Sequence, residues 1–184
     1  FHHCSKSGAK FAFEKGKWFN HTYIQAMDDA RLAELFKPVM LEHGVNPDAF
    51  SDEYIRRAVA MVKSRVNFVS ELWEHARFFF VAPEEYDPKA VKKRWSADTP
   101  RIMRELVGKL NAAGDFASAA LEPQILGWIA EKEYHLGNVM NAFRLAVVGE
   151  CKGPHMFDIT ELMGREETVR RIETAVERIH PADE

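Results

Sequence analysis

Asp28-Asp29-Ala30-Arg31-Leu32-Ala33-Glu34-Leu35-Phe36-Lys37-Pro38-Val39-Met40-Leu41-Glu42-His43-Gly44 is the stretch on which the fold class turns. Leu32, Leu35, Phe36, Val39 and Met40 recur at i, i+3, i+4, i+7 and i+8, the spacing that puts apolar groups on one side of an α-helix. Asp28 or Asp29 can cap the free N–H groups at its start, and Gly44 stops it. Pro38 has no N–H to give, which predicts a kink or a break.

The same pattern extends along the chain. Asn46-Pro47-Asp48 reads as a turn, and Ser51 as the cap of a helix whose stripe is Tyr54, Ile55, Ala58, Val59, Val62, Val66 and Val69. That run is expected to continue through Trp73 to about Phe79, with a break near Asn67. Ala82-Pro83 and Asp87-Pro88 bracket a loop and open a short basic helix, Lys89 to Trp95. Thr99-Pro100 predicts an N-cap followed by proline at the first helical position, with the helix reaching Asn111 and Gly114 past its end. Glu122-Pro123 predicts another start, with Ile125, Leu126, Ile129 and Ala130 inward and Gly137 at the end. Helices follow over Val139 to Val148, from Pro154 to about Gly164, and along Val169, Ile172, Ala175, Val176 and Ile179.

No run alternates long enough to make a strand, so the chain is expected to be all-α, in two helical-bundle subdomains. The Ala-rich, acid-flanked stretch Ala112–Glu122 is the expected seam. It gives a connector over 1–26, a first subdomain over 27–113 and a second over 114–184.

The 184 residues are enough to bury roughly 70% of the unfolded surface without staples. Cys4 and Cys151 stand far apart in sequence and read as free thiols of a reducing, cytoplasmic compartment. No apolar run approaches the roughly 18 residues of a membrane span. The chain opens on Phe1 rather than Met and is read as a piece of a longer polypeptide.

The net charge of −3 hides a segregation. From Arg56 to Lys109 there are twelve Lys/Arg against seven Asp/Glu, while the rest of the chain is acidic. Such a chain can grip a polyanion locally while staying acidic overall.

Enzyme signatures are missing: no glycine-rich dinucleotide loop, no phosphate-cradling loop with its lysine and no His-Glu-x-x-His. Glu177-Arg178-Ile179-His180 is a single Glu-x-x-His, where a di-iron bundle needs two. No catalytic residue and no metal site is therefore assigned. A helical hydrolase or metal enzyme would need convergent acids or histidines that this sequence does not offer. A helical protein-interaction module without RNA binding is the other alternative.

One stretch stands apart, Gly137 to Phe157. An apolar helix carries a single Arg144 and stops at Gly149, and Lys152-Gly153-Pro154 leads to the next helix. Arg144 lies among Phe143, Leu145, Ala146 and Val147 and needs a partner or an exit to solvent. Two readings stand: snorkelling or pairing with Glu150 or Asp158, and a guanidinium aimed at a phosphate or a base edge. Arg65, in Lys63-Ser64-Arg65, has the same two readings, a solvated face or a nucleic-acid contact.

These residues resemble the C-terminal half of bacterial-type glutamyl-tRNA synthetases, class I aminoacyl-tRNA ligases. The resemblance begins at Ser5-Lys6-Ser7-Gly8-Ala9-Lys10-Phe11 and runs through Glu14-Lys15-Gly16-Lys17-Trp18-Phe19-Asn20-His21-Thr22-Tyr23-Ile24. It continues in Tyr54-Ile55-Arg56-Arg57-Ala58 with Arg65, and closes with the Gly137–Phe157 stretch and Leu162-Met163-Gly164-Arg165-Glu166.

The resemblance implies an all-α anticodon-binding region of two helical subdomains that binds glutamate-accepting tRNA, as a monomer in the cytoplasm. The parent enzyme would use ATP and Mg2+; the family's ATP-site signatures are absent here, so this piece would bind no cofactor and make no glutamyl-adenylate. By position, Arg65 would read the third anticodon base. Arg144 and the loop holding Gly153, Pro154 and Met156 would surround the others, with Met156 where leucine is usual and His155 where glycine is common. Lys152 and Lys63 would add phosphate contacts.

Overall fold

Residues 21–181 are described by a computed structural model. The expected connector over 1–26 lies largely outside them, as does Cys4; its last part, 21–26, is helical. Among the described residues there is no strand. The chain divides into two compact units, one ending at Arg77 and one beginning at Phe78.

In the first unit, α1 (Asp29–Glu42) packs on α2 (Asp52–Val62), and the short α3 (Leu72–Ala76) adds to the same core. Asp28 caps α1, its carboxylate accepting the Ala30 N–H at 3.0 Å. Ser51 caps α2 in the same way, through the Tyr54 N–H at 3.1 Å. Leu32, Phe36, Val39, Met40, Ile55, Val59, Val62 and Leu72 are buried. Leu35 leaves the expected stripe and is 39% exposed.

Pro38 does not break α1. A proline inside a helix costs about 3 kcal/mol, while each fully buried large apolar side chain returns roughly 1.5–3 kcal/mol. Phe36, Val39 and Met40 flank Pro38 and are all buried, so packing outweighs the lost bond.

The second helix ends earlier than its stripe predicts, at Val62, and tightens into a 3-10 turn over Lys63–Arg65. The reason is tertiary. Gln25 Nε2 donates to the Lys63 carbonyl at 2.7 Å, and His21 Nδ1 lies 2.9 Å from the Val66 carbonyl. The helical segment at 21–26 thus takes up backbone groups that would otherwise seek further helix.

The second unit holds α4 (Pro88–Arg94), α5 (Thr99–Ala112), α6 (Ser118–Glu131), α7 (Leu136–Val148), α8 (Met156–Met163) and α9 (Arg165–Arg178). The last of these, α9, packs on α5 and α7, and α6 packs on α8. The seam expected at 113/114 is therefore not where the chain divides. Met103, Leu106 and Leu110 give α5 a buried face that it lays against α9, which binds it to the C-terminal unit.

Three ends differ from the local signals. Thr99 is the first helical residue rather than the cap; its hydroxyl instead accepts the Ser96 N–H at 2.9 Å. The next helix, α6, starts at Ser118, so Pro123 lies inside it. Its start is satisfied from afar, by Glu161 Oε1 of α8 accepting the Ser118 N–H at 3.2 Å. It ends at Glu131 instead of Gly137, with Glu133 at φ 56 and the Tyr134 N–H reaching the Ile129 carbonyl at 3.1 Å. Leu121 and Trp128 join Ile125 and Ile129 on its buried side, and Ala130 is exposed.

Candidate nucleic-acid interface

The apolar face of α7 buries Val139, Ala142, Phe143, Ala146 and Val147, and the helix closes at Gly149 with φ 92. The Gly149 N–H returns to the Leu145 carbonyl at 2.9 Å. From Gly149 the chain runs as a loop to His155, and then α8 begins.

The start of that loop rests on another one. The Asp87 N–H donates to the Gly149 carbonyl at 2.9 Å. A Cβ on Gly149 would stand 3.1 Å from Pro83 Cβ and 3.2 Å from the Glu85 carbonyl oxygen. Arg178 holds the 83–87 segment in turn, donating to the Pro83 and Glu84 carbonyls and lying over the Tyr86 ring at 5.6 Å. Burial raises the Tyr86 hydroxyl pKa, and the Arg178 charge partly offsets that.

Gly149 therefore meets two demands that an L side chain cannot, a left-handed backbone and a backbone-to-loop contact. Gly149→Ala is expected to destabilise the chain by about 1–3 kcal/mol, from the left-handed strain and the crowding. Urea unfolding would measure it, and a shift under ~0.5 kcal/mol would mean the loop gives way freely.

Arg144 projects from α7 and is half-buried. Its guanidinium meets the middle of the loop: a Cβ on Gly153 would lie 3.1 Å from Arg144 Nη1. Gly153 has φ +138, a conformation that favours glycine. Cation and loop are thus packed together, with Gly153 close against the guanidinium, whose Nη1 is buried there.

Neighbouring groups fix the rest. His155 Nε2 lies 3.0 Å from Glu122 Oε2, tying the loop's end to α6. Cys151 Sγ lies 3.6 Å from the Asn141 carbonyl, and burial pushes its thiol pKa up while Arg94 and Arg144 pull it down. Among the described residues no group of three His, Cys, Asp or Glu could hold a metal ion. No helix there is long and apolar enough to cross a membrane.

The family model of the anticodon binding domain matches residues 31–176. The chain belongs to the anticodon-binding domain family. It is 56% identical over 174 residues to a glutamate–tRNA ligase of Porphyromonas gingivalis, an alignment covering 95% of this chain and 34% of that protein. Against the glutamate–tRNA ligase of Bacteroides fragilis the identity is 56% over 176 residues, covering 96% and 34%. A crystal structure of a glutamate tRNA ligase from Elizabethkingia meningosepticum in complex with its amino acid superposes with a TM-score of 0.82 at 38% identity, over 91% of this chain and 32% of that one. The chain spans about a third of the length of the curated relatives it matches. The resemblance read from the residues and the all-α class agree with these findings.

Within this anticodon-binding domain the expected residues have unequal surroundings. Arg144 and Gly153 are together, and Pro154 is half-buried in the turn that leads into α8. Lys152 is exposed, its Nζ 4.0 Å from a Glu150 oxygen. Arg65 is exposed at the end of the 3-10 turn of the first unit.

Two assignments need correction. Met156 is only 3% exposed, because as the first residue of α8 it turns into the core, so it offers no surface on which a base could pack. Lys63 is engaged within its own unit, donating to the Met27 carbonyl and to Asp29 Oδ1, each at 2.9 Å. Its charge ties the 21–27 segment to the end of α2 instead of standing ready for a phosphate.

The sequence reading also passed over Arg171, which is 4% exposed. Its Nη1 donates to the Phe78 carbonyl at 2.6 Å and the Val147 carbonyl at 2.9 Å, and its Nε to Glu167 Oε1 at 2.9 Å. A signal existed: Thr168, Arg171, Ile172 and Ala175 form the i, i+3, i+4, i+7 stripe that is in fact buried. An arginine in that phase has to be inside and paired.

Proposed function

We propose that the chain is the anticodon-reading part of a glutamate–tRNA ligase and that it binds the anticodon loop of glutamate-accepting tRNA. The observation that carries this reading is the close packing of the Arg144 guanidinium against Gly153, in a loop braced by Asp87 and Arg178. An unstacked loop base presents its edges, and a guanidinium beside loop backbone groups can bond to them. The family match and the likeness to glutamate–tRNA ligases support the RNA partner. ATP, Mg2+ and the ligation chemistry belong to the remainder of such an enzyme. In this reading the protein works in the cytoplasm, and the chain acts as a monomer.

Arg65, on the first unit, is assigned the third anticodon base. Its exposure at the end of a tight turn leaves the side chain accessible to a ligand. A bidentate arginine–base contact discriminates by about 1–3 kcal/mol, or roughly 5- to 150-fold. The test is binding of glutamate-accepting tRNA, the same tRNA changed at the third anticodon base, and an unrelated tRNA across a salt series. Preference for the first is expected, and Arg65→Gln is expected to remove discrimination at the third base while leaving other preferences in place. Equal binding of all three tRNAs at every salt concentration would overturn the proposed function; intact discrimination in Arg65→Gln would overturn the role of Arg65 alone.

A further inference from the structure

The second unit has a cleft of about 250 Å³ between the last turn of α4, the start of α5 and the start of α7. Its apolar lining comes from Ile102, Met103, Val139 and Ala142, and its cations are the consecutive Lys92, Lys93 and Arg94. Asp98 is the acid in its lining. From α7 and its cap the cleft takes His135, Asn138, Val139 and Ala142, whereas Arg144 lies about 200° around the helix from Ala142. The cleft and the Arg144 loop therefore occupy different faces of one helix.

The polar groups of this cleft are unevenly used. Two of its acceptors are taken: Asn138 Oδ1 receives Arg94 Nη1 at 3.2 Å, and Thr99 Oγ1 receives the Ser96 N–H, while the exposed Asp98 carboxylate is a third acceptor in the lining. His135 Nδ1 receives the Asn138 N–H at 3.1 Å, which places the proton of the neutral ring on Nε2 as a donor. Tyr134, also in the lining, donates to Glu105 Oε2 at 2.5 Å and accepts from Arg101 at 3.1 Å.

Apart from Asp98, what is left over donates. Lys92 and Lys93 are exposed ammonium groups at the rim. Trp95 lines the same cleft, is 2% exposed, and its buried indole Nε1–H has no hydrogen-bond partner. A buried donor without an acceptor is rare in folded proteins, and each instance calls for a physical reason. Here the acceptor can come from a ligand entering the cleft that the ring lines. A site with cations and donors in excess selects a ligand made of acceptors and negative charge.

We infer that this cleft is a phosphate site, and that its occupant is a phosphodiester of the bound RNA, held by Lys92 and Lys93 at the rim with the Trp95 indole N–H behind them. This rests on the RNA reading above, but it concerns sequence-blind grip rather than base reading. Neutralising one phosphate of a single strand is worth a slope of about 0.7 in log affinity against log salt, so its loss lowers affinity about fivefold at 0.1 M salt.

The test uses the 184-residue chain, an anticodon stem-loop RNA, and the indole 15N–1H resonance of Trp95, assigned through Trp95→Phe. Adenosine 5′-monophosphate and inorganic phosphate are expected to shift that resonance, and adenosine is expected to leave it in place. Lys92→Gln/Lys93→Gln is expected to abolish the shift, weaken RNA binding about fivefold at 0.1 M salt and flatten the salt slope by about 0.7. The loss should be equal for the stem-loop and for its third-base variant, while Lys132→Gln, exposed and outside both the cleft and the basic 56–109 segment, changes none of these. An indole resonance unmoved by phosphate, or moved equally by adenosine, overturns the site. A double-lysine variant no weaker for RNA than Lys132→Gln overturns RNA as its occupant. Discrimination between the two stem-loops is read in the same titrations, so failure of the anticodon reading shows separately from failure of the cleft.

Discussion

Arg171→Met is expected to destabilise the second unit by about 3–5 kcal/mol, the range for removing one partner from a buried charged network. Methionine keeps the apolar stem, so the loss isolates the guanidinium. The Val147 carbonyl lies in the last turn of α7, where helix carbonyls lack partners and the dipole favours a cation. The Phe78 carbonyl is a second acceptor on the same Nη1. Both become buried and unpaired in the variant, at roughly 1–3 kcal/mol each. The Glu167 contact adds less, because its carboxylate is 25% exposed and also meets Arg170. For a unit of this size each kcal/mol moves the melting temperature by about 4–8 °C, so a drop of at least ~12 °C is expected. Arg171→Lys keeps the charge but not the planar fork, and should recover less than half of the loss. A thermal scan that moves by only one or two degrees would show that water or a neighbour replaces the guanidinium.

The second large effect is on RNA binding. Arg144→Gln is expected to weaken binding of the anticodon stem-loop roughly 5- to 150-fold, as a lost arginine–base contact of about 1–3 kcal/mol. Gly153→Ala should act through the same group. Its new Cβ would stand 3.1 Å from Arg144 Nη1, on a backbone with φ +138 that resists a side chain. The guanidinium has to move, and with it the geometry that meets the base. The two substitutions are therefore expected to be non-additive, with Gly153→Ala costing little more in the Arg144→Gln background. Strict additivity in that double-mutant cycle, with both variants folded by circular dichroism, would separate the loop from the arginine.

Much of the candidate interface was legible in order along the chain. Arg144 stood out because a lone cation on an apolar helix has to be explained, and Gly149 and Gly153 because loops at helix ends select glycine. The residues misjudged share a cause. Met156 reads as a loop residue next to Pro154, but α8 begins there and turns it into the core. Lys63 reads as a surface cation, but Asp29 and the Met27 carbonyl, more than thirty positions away in sequence, engage it. Neither partner is visible from the local pattern.

The sequence by itself determined that this is a chain of amphipathic helices. A 3.6-residue apolar period, capping residues such as Asp28, Ser51 and Asp87, and glycines such as Gly44, Gly149 and Gly164 act within one or two turns. Only the tertiary structure decided where several helices start and stop and what their polar groups meet. Glu161 supplies the acceptor that lets α6 begin ahead of Pro123, and Gln25 and His21 take the backbone carbonyls where α2 gives way to a turn. Arg171 becomes an internal brace only because Phe78 and Val147, far away in sequence, bring their carbonyls to it. The reason is one of range: periodicity and capping are local, whereas the partner of a buried polar group is chosen by packing.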